Sequence, residues 1–167
     1  MASLDKIGTV LADTVYCGTD LVAEDVTLNL PEIEFLTAEL KAQGTLTIPT
    51  PLTGDMEASV TKVGFDKGFF SLLGLESKEI EYRFVQQSLA TDSSMSVGGC
   101  KAFLTGIPKN IPGGSLEPGS AYEGEIKFAV TRYQLFVDGQ EKILIDKLQN
   151  ICKINGVDYA KDIKSLL

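Results

Sequence analysis

The side chains able to do chemistry are few, and their spacing serves chemistry poorly. The 167-residue chain has no histidine, which removes Ser-His and Cys-His nucleophile systems and imidazole metal sites together. Carboxylates two apart remain: Glu32 with Glu34, and Glu79 with Glu81. On a strand each pair would share a face, but an acid–base dyad needs two carboxyls in unequal environments across a cleft. Neighbouring acids on a wet strand are ordinarily just solvated. Cys100 follows Gly98-Gly99, yet a nucleophile elbow needs a base beside it, and a bend entering a strand explains the segment more simply. With Cys17 and Cys152 it makes an odd, widely spaced trio, which fits buried or inert thiols in a reducing compartment rather than a disulfide or metal framework. No GxxxxGK[ST] phosphate loop occurs. These residues point to a chain with no catalytic, cofactor-binding or metal site, and so to no enzyme.

What remains to be explained is how the chain folds. Its length suits one domain with its own core, and 44% of its residues are hydrophobic. The net charge of −8 argues against binding to phosphate backbones, which requires Lys and Arg to release counterions, and against anionic membranes. "MASLDKIGTVLADT" carries acids and lacks a long apolar core, so no signal peptide is expected. No run approaches the ~20 apolar residues of a membrane span. The expectation is a protein cytosolic when made, without a membrane anchor.

Most of the sequence alternates with period two, the mark of antiparallel strands with one packed and one wet face. Val26, Leu28 and Leu30 alternate with polar residues, as do Ile80, Tyr82 and Phe84, and Ile126, Phe128 and Val130. The phase then slips: after Val130 the apolar residues are Tyr133, Leu135 and Val137. Such a parity change means a bulge or a change of packed face, as for one long strand bending between two sheets. Met56, Ala58 and Val60 followed by Val63 and Phe65 repeat the signal. Two segments break the pattern. "DKGFFSLLGL" predicts a short helix with Asp66 as N-cap, Phe69, Phe70 and Leu73 on one face, and Gly74 as C-terminal cap. "DYAKDIKSLL" spaces Tyr159, Ile163 and Leu166 for a second short helix or docking tail. Residues 36–55 read as a long arm, in which Pro49 and Pro51 suit only an edge or extended chain. Residues 106–120 read as a surface connection. Asp138-Gly139 and Asn155-Gly156 are tight-turn signals, the first of type I′ hairpin chemistry.

The C-terminal stretch "YQLFVDGQEKILIDKLQNICKINGVD" resembles the end of the major tail tube proteins of contractile-tailed phages and R-type pyocins. The matching positions are Tyr133, Leu135, Val137, Asp138, Gly139, Glu141, Ile145, Asp146, Asn155, Gly156, Val157 and Asp158. Upstream, Leu28, Leu30 and Pro31 are similar to the family's "LTLP" strand, "FFSLLGL" to its short helix, and "PGSAYEGEIKFAV" to the start of its penultimate long strand. The likeness runs from about Val15 to Leu167. The first fourteen residues have no counterpart, and "LKAQGTLT" stands where the family often carries an Arg-Gly-Gly-like arm segment.

The resemblance implies a mainly β fold, a barrel or sandwich of two packed antiparallel sheets. One short flanking helix and a C-terminal helix or tail complete a single tail-tube domain over 1–167, with its arm at about 36–55 and a docking segment at about 157–167. It implies a structural subunit of an inner tail tube, in stacked hexameric rings around a hollow lumen that passes DNA without binding it specifically. The partners it implies are further copies of the chain, the tail sheath protein, the baseplate or tube initiator, the tape measure protein and the tail terminator. Its place would be a virion tail or tailocin particle, assembled in the bacterial host cytoplasm. Glu79 and Glu81, or Glu123 and Glu125, are its candidates for lumen charge. Two alternatives stand beside it: a tube component of a type VI secretion or extracellular injection apparatus, and a monomeric β-barrel module for a small ligand.

Overall fold

A computed structural model describes residues 5–167. The first four residues of the stretch without a family counterpart lie outside the described residues. Among the described residues, twelve strands and two one-turn helices run in the order β1 (Lys6–Cys17), β2 (Asp20–Glu24), β3 (Thr27–Asn29), β4 (Phe35–Ala42), β5 (Gly44–Thr53), β6 (Met56–Val63), α1 (Lys67–Phe70), β7 (Lys78–Leu89), β8 (Met95–Pro108), β9 (Glu123–Val137), β10 (Gln140–Asp146), β11 (Ile151–Ile154), β12 (Val157–Asp158) and α2 (Lys161–Ser165). Ten strands form one antiparallel sheet in the order β12-β11-β10-β9-β8-β7-β1-β2, with β6 also joined to β9 and β3 to β6; β4 and β5 pair only with each other.

The expected slip in β9 is a bulge at Thr131. Opposite Arg132 lies Thr105, but opposite Val130 lies Gly106, so Thr131 is left without a facing residue. Its hydroxyl donates to the Thr105 carbonyl, and its own carbonyl accepts from the Lys147 amide at 3.0 Å. The bulge divides β9 between two partners. Residues Glu123–Val130 pair with β6, and residues 132–137 pair with β10. Both halves then aim their apolar side chains into one core: Met56, Val60, Ile126 and Phe128 from the first wing, Val15, Tyr82, Leu104, Tyr133 and Ile145 from the second.

Gly106 sits at this corner because a Cβ there would meet the Ala129 carbonyl oxygen at 2.8 Å, closer than side chains ordinarily approach backbone. The second parity signal is a change of face. The β6–β9 register is unbroken through Val63; Val63 and Phe65 point outward, and Phe65 stacks on Tyr122 and Phe70 at centroid distances of 4.4 and 5.4 Å.

Both tight turns close two-residue hairpins. Asp138 and Gly139 have φ of 50° and 80°, Asn155 and Gly156 of 50° and 84°, the doubly positive pattern of type I′. Val137 therefore faces Gln140, and Ile154 faces Val157. Asp158 ties the second hairpin to the start of α2: its carboxylate accepts from the amides of Cys152 at 3.4 Å and Ala160 at 3.0 Å. Asp158→Ala orphans both amides, and a charged acceptor of this kind contributes about 1.5–3 kcal/mol. The urea midpoint should fall accordingly while the slope stays constant.

Several expectations are corrected. Asp66 does cap α1, accepting from the Gly68 amide at 2.8 Å, but the helix stops at Phe70 with Ser71 as its cap. Gly74 lies beyond it at φ 139°, outside the helix end. The fully buried pair is Phe69 and Leu72, with Phe70 and Leu73 only partly covered, because a single turn cannot present three large residues to one surface. Gly98 and Gly99 lie inside β8, not in a bend before it. The first of them lies under the turn opposite, where a Cβ would meet Asp138 Oδ1 at 2.6 Å and make that carboxylate swing aside.

Two buried phenols set an alkaline limit on stability. Burial pushes Tyr82 well above the usual phenol range, helped by the Asp13 carboxylate beside it, and burial alone raises Tyr133. A raised folded pKa means the native state keeps its proton when the unfolded chain has lost it. The associated stability is present in full below the unfolded phenol value of about 10 and declines as pH rises from there toward the folded value. Unfolding free energy followed by circular dichroism should fall above pH ~10, and Tyr82→Phe should flatten that fall.

Candidate assembly surface

The sequence-proposed chemical residues are not brought together. Glu32 and Glu34 lie in the irregular link between β3 and β4, not on a strand. Glu79 is exposed on β7, and Glu81 is taken up by Arg83, whose Nε donates to it at 2.5 Å. Glu123 and Glu125 are exposed on the other wing. Cys100 and Cys152 are buried and Cys17 half-buried, all three as free thiols. Burial, then the nearby Asp158, raises the Cys152 thiol above its ordinary value, which opposes reactivity. Among the described residues no group of three or more His, Cys, Asp or Glu side chains could hold a metal ion, and no helix is long and apolar enough to cross a membrane.

What the fold does assemble is unfinished β structure. Residues 36–55, read from sequence as a loop-like arm, are the β4–β5 hairpin. Its register pairs Ala38 with Ile48 and Leu40 with Leu46, while Glu39 faces Thr47 and Lys41 faces Thr45. One face is thus apolar (Leu36, Ala38, Leu40, Leu46 and Ile48) and the other polar. All five apolar residues are exposed. A lone two-stranded hairpin is at best marginally stable in water, so an amphipathic one exposing its apolar face is built to be covered. Pro49 and Pro51 are tolerated because β5 has only one neighbour. The signal was present in the sequence, in the even spacing of apolar residues on either side of Gly44, which adopts φ 111° at the turn.

The C-terminal tail behaves in a similar way. Tyr159 and Leu166 are 55% and 87% exposed, and Ala160 is the residue that is buried. Docking of Tyr159, Ile163 and Leu166 on the chain's own body is therefore not what the structure shows. A helix of one turn has one inward position to give, and the small Ala160 takes the place beside it. Ile163 and Leu167 instead border a groove of about 330 Å³ with Leu36, Pro51 and Leu52 at the root of the arm.

A third unfinished region lies at the far end of β1, β7 and β8. β2 covers β1 only over Thr14–Cys17, and β9 reaches β8 only from Cys100 onward. Beyond those points the three strands continue as a ribbon whose two outer edges have no strand partner among the described residues. Sequence alternation missed this extension, since bulges between Ile7 and Thr9 and between Val10 and Ala12 scramble its period.

Taken together, the chain is a folded antiparallel β body with an exposed amphipathic hairpin and, among the described residues, open strand edges. The chain belongs to the phage tail tube protein FII family, whose model matches residues 12–167. The fold is also similar to that of a chain solved by cryo-EM in the PVC sheath–tube complex of an extracellular contractile injection system in its extended state. That chain is 14% identical with a TM-score of 0.52, over 75% of this chain and 88% of that one. At this identity the likeness concerns fold alone. No curated protein matches. The expected tail-tube fold and family therefore stand.

Proposed function

We propose that the chain is one tail-tube domain over 1–167 and the building unit of a contractile tail's inner tube, in hexameric rings stacked around a hollow lumen. The single observation that carries this reading is the pairing of family membership over 12–167 with an amphipathic arm left bare in the isolated subunit. Ring closure resolves the open edges by strand pairing with a neighbour, and head-to-tail contacts between unlike patches extend into a stack. The arm and the tail at 157–167 dock on neighbouring copies. The role is structural and not enzymatic.

By the same resemblance the tube is enclosed by a sheath protein, started on a baseplate component, measured by a tape measure protein and closed by a terminator. It belongs to a virion tail or tailocin and is built in the host cytoplasm. DNA slides through without specific binding, in keeping with the charge of −8 and the repulsion that like charges impose. A second reading, the tube of an extracellular injection apparatus, is favoured by the structural likeness to such a particle; it differs in cargo rather than in assembly.

Seeded with preformed fragments, the purified 18.0 kDa chain should pass from slow to very fast sedimentation; one small species at every concentration would refute the proposal. In assembled particles, Glu79→Lys or Glu125→Lys should slow DNA release if that face lines the lumen, and release at the normal rate would remove the lumen assignment.

A further inference from the structure

We propose that Lys147 sets the direction in which the arm leaves the body, by holding the Gly54 carbonyl at the arm's root. It rests on the reading of β4–β5 as a docking arm and names the residue that aims it.

The side chain starts from a fixed point. The Lys147 amide donates to the Thr131 carbonyl at 3.0 Å, one residue beyond the β9–β10 ladder. Just before it, Asp146 is 8% exposed. Its carboxylate accepts from the amides of Leu148 at 3.0 Å and Gln149 at 3.1 Å, and lies 3.7 Å from Arg132 Nε. The turn after β10 is thus fixed on both sides of Lys147. From there its Nζ donates to the Gly54 carbonyl at 3.0 Å.

That carbonyl lies at a hinge. Below the arm Ile33 packs against the core and Met56 is buried in it. The arm's own ladder begins at Phe35 and Thr53, so Glu34, Gly54 and Asp55 are the residues left between ladder and body. The bond from the Gly54 amide to the Glu34 carbonyl ties the two legs to each other and not to the body. Among the described residues, the Lys147 ammonium makes the one side-chain hydrogen bond or ion pair from residues 34–55 to the rest of the chain. Asp55, 3.8 Å from Nζ, is fully exposed, and an ion pair so solvated contributes little. The bond to the carbonyl is the tether.

The length of the arm makes its angle matter. At about 3.3 Å per residue the ten residues of β5 span roughly 30 Å, so a rotation of about 10° at the root carries the tip about 5 Å, the spacing between neighbouring strands. A swing that small displaces Leu40 and Leu46 from a receiving surface on another copy. Lys147 itself is exposed and contributes nothing to the core, so its loss should free the arm without unfolding the body.

Double electron–electron resonance on the unassembled chain tests this, with nitroxides on Gln43→Cys at the arm's tip and Lys127→Cys on β9, in a Cys17→Ser background. The parent should give a narrow distance distribution, and Lys147→Met, which keeps the aliphatic stem, should broaden it about twofold or more. The urea midpoint should hardly move. Without labels, the Lys147→Met chain should need a critical concentration about three- to tenfold higher, as for the loss of one charged donor at a partly exposed site. Lys147→Arg keeps a donor and should restore both readouts, whereas Asp55→Asn should change neither. A broad distribution in the parent would overturn the assignment, with no variant required to fold. So would an unchanged distribution in Lys147→Met, or tube growth at the parent's concentration by a Lys147→Met chain whose arm has broadened. Tube growth by a chain lacking residues 37–53 would instead remove the arm reading, and this assignment with it.

Discussion

A chain lacking residues 37–53 should fold normally and fail to make tubes. The excision is stereochemically mild, because the Gly54 amide already donates to the Glu34 carbonyl at 2.8 Å across the base of the arm. The β4–β5 pair is hydrogen-bonded to no other strand, and Leu40, Leu46 and Ile48 contribute nothing to the buried core. Stability to urea should therefore barely change. Assembly is different. Fully burying a Leu or Ile side chain contributes about 1.5–3 kcal/mol, and Leu40, Leu46, Ile48 and Leu52, each already about half covered, leave roughly 3–6 kcal/mol still to be gained from a neighbour. Losing that should raise the critical concentration by about two to four decades, read by sedimentation. A Leu40→Asp, Leu46→Asp double variant keeps the hairpin and should do nearly the same. Rapid tube growth by either variant would end the arm's role.

Phe128→Ala should be among the most damaging single substitutions to the fold. Phe128 is 2% exposed and lies where β9 is flanked by both β6 and β8, opposite Ala58 and Pro108. It belongs to the one buried core that both wings share. Phe-to-Ala changes in a core cost about 3–5 kcal/mol, against a total of about 5–15 for a domain. For a chain of this size that lowers the melting temperature by roughly 6–20 °C. Because the cavity opens in the core that joins the two wings, the variant should also assemble less at 37 °C while remaining competent when cooled. A melting temperature within a degree or two of the parent would show that the wings do not share one core.

Much of the fold was legible because strand alternation reports burial directly. Ile80 and Tyr82 on one side, and Ile126, Phe128 and Val130 on the other, are buried as their spacing implied, and the phase slip after Val130 located the bulge at Thr131 to within a residue. Turn chemistry was equally readable at Asp138-Gly139, where type I′ is the natural solution, while Asn155-Gly156 was legible as a tight turn and proves to be a second hairpin of the same kind. Helix ends were less so: Gly74 looked like a cap, but Ser71 closes α1 through its own hydroxyl on the Gly68 carbonyl, an interaction that any serine in a short helix could make. The arm was misjudged because its apolar residues are exposed in the subunit, and alternation without a core to face reads like a loop. The ribbon was missed for a related reason. Its open edges are a property of where neighbouring strands stop, and no local pattern records where another strand ends.

The most direct test of the central claim is cryo-electron microscopy of the purified chain after seeded assembly. Hollow filaments of uniform width are expected, with β density that continues from each subunit into the next around the lumen. A monodisperse monomer under every nucleating condition would contradict the claim, as would filaments in which each subunit's sheet ends without meeting its neighbour's.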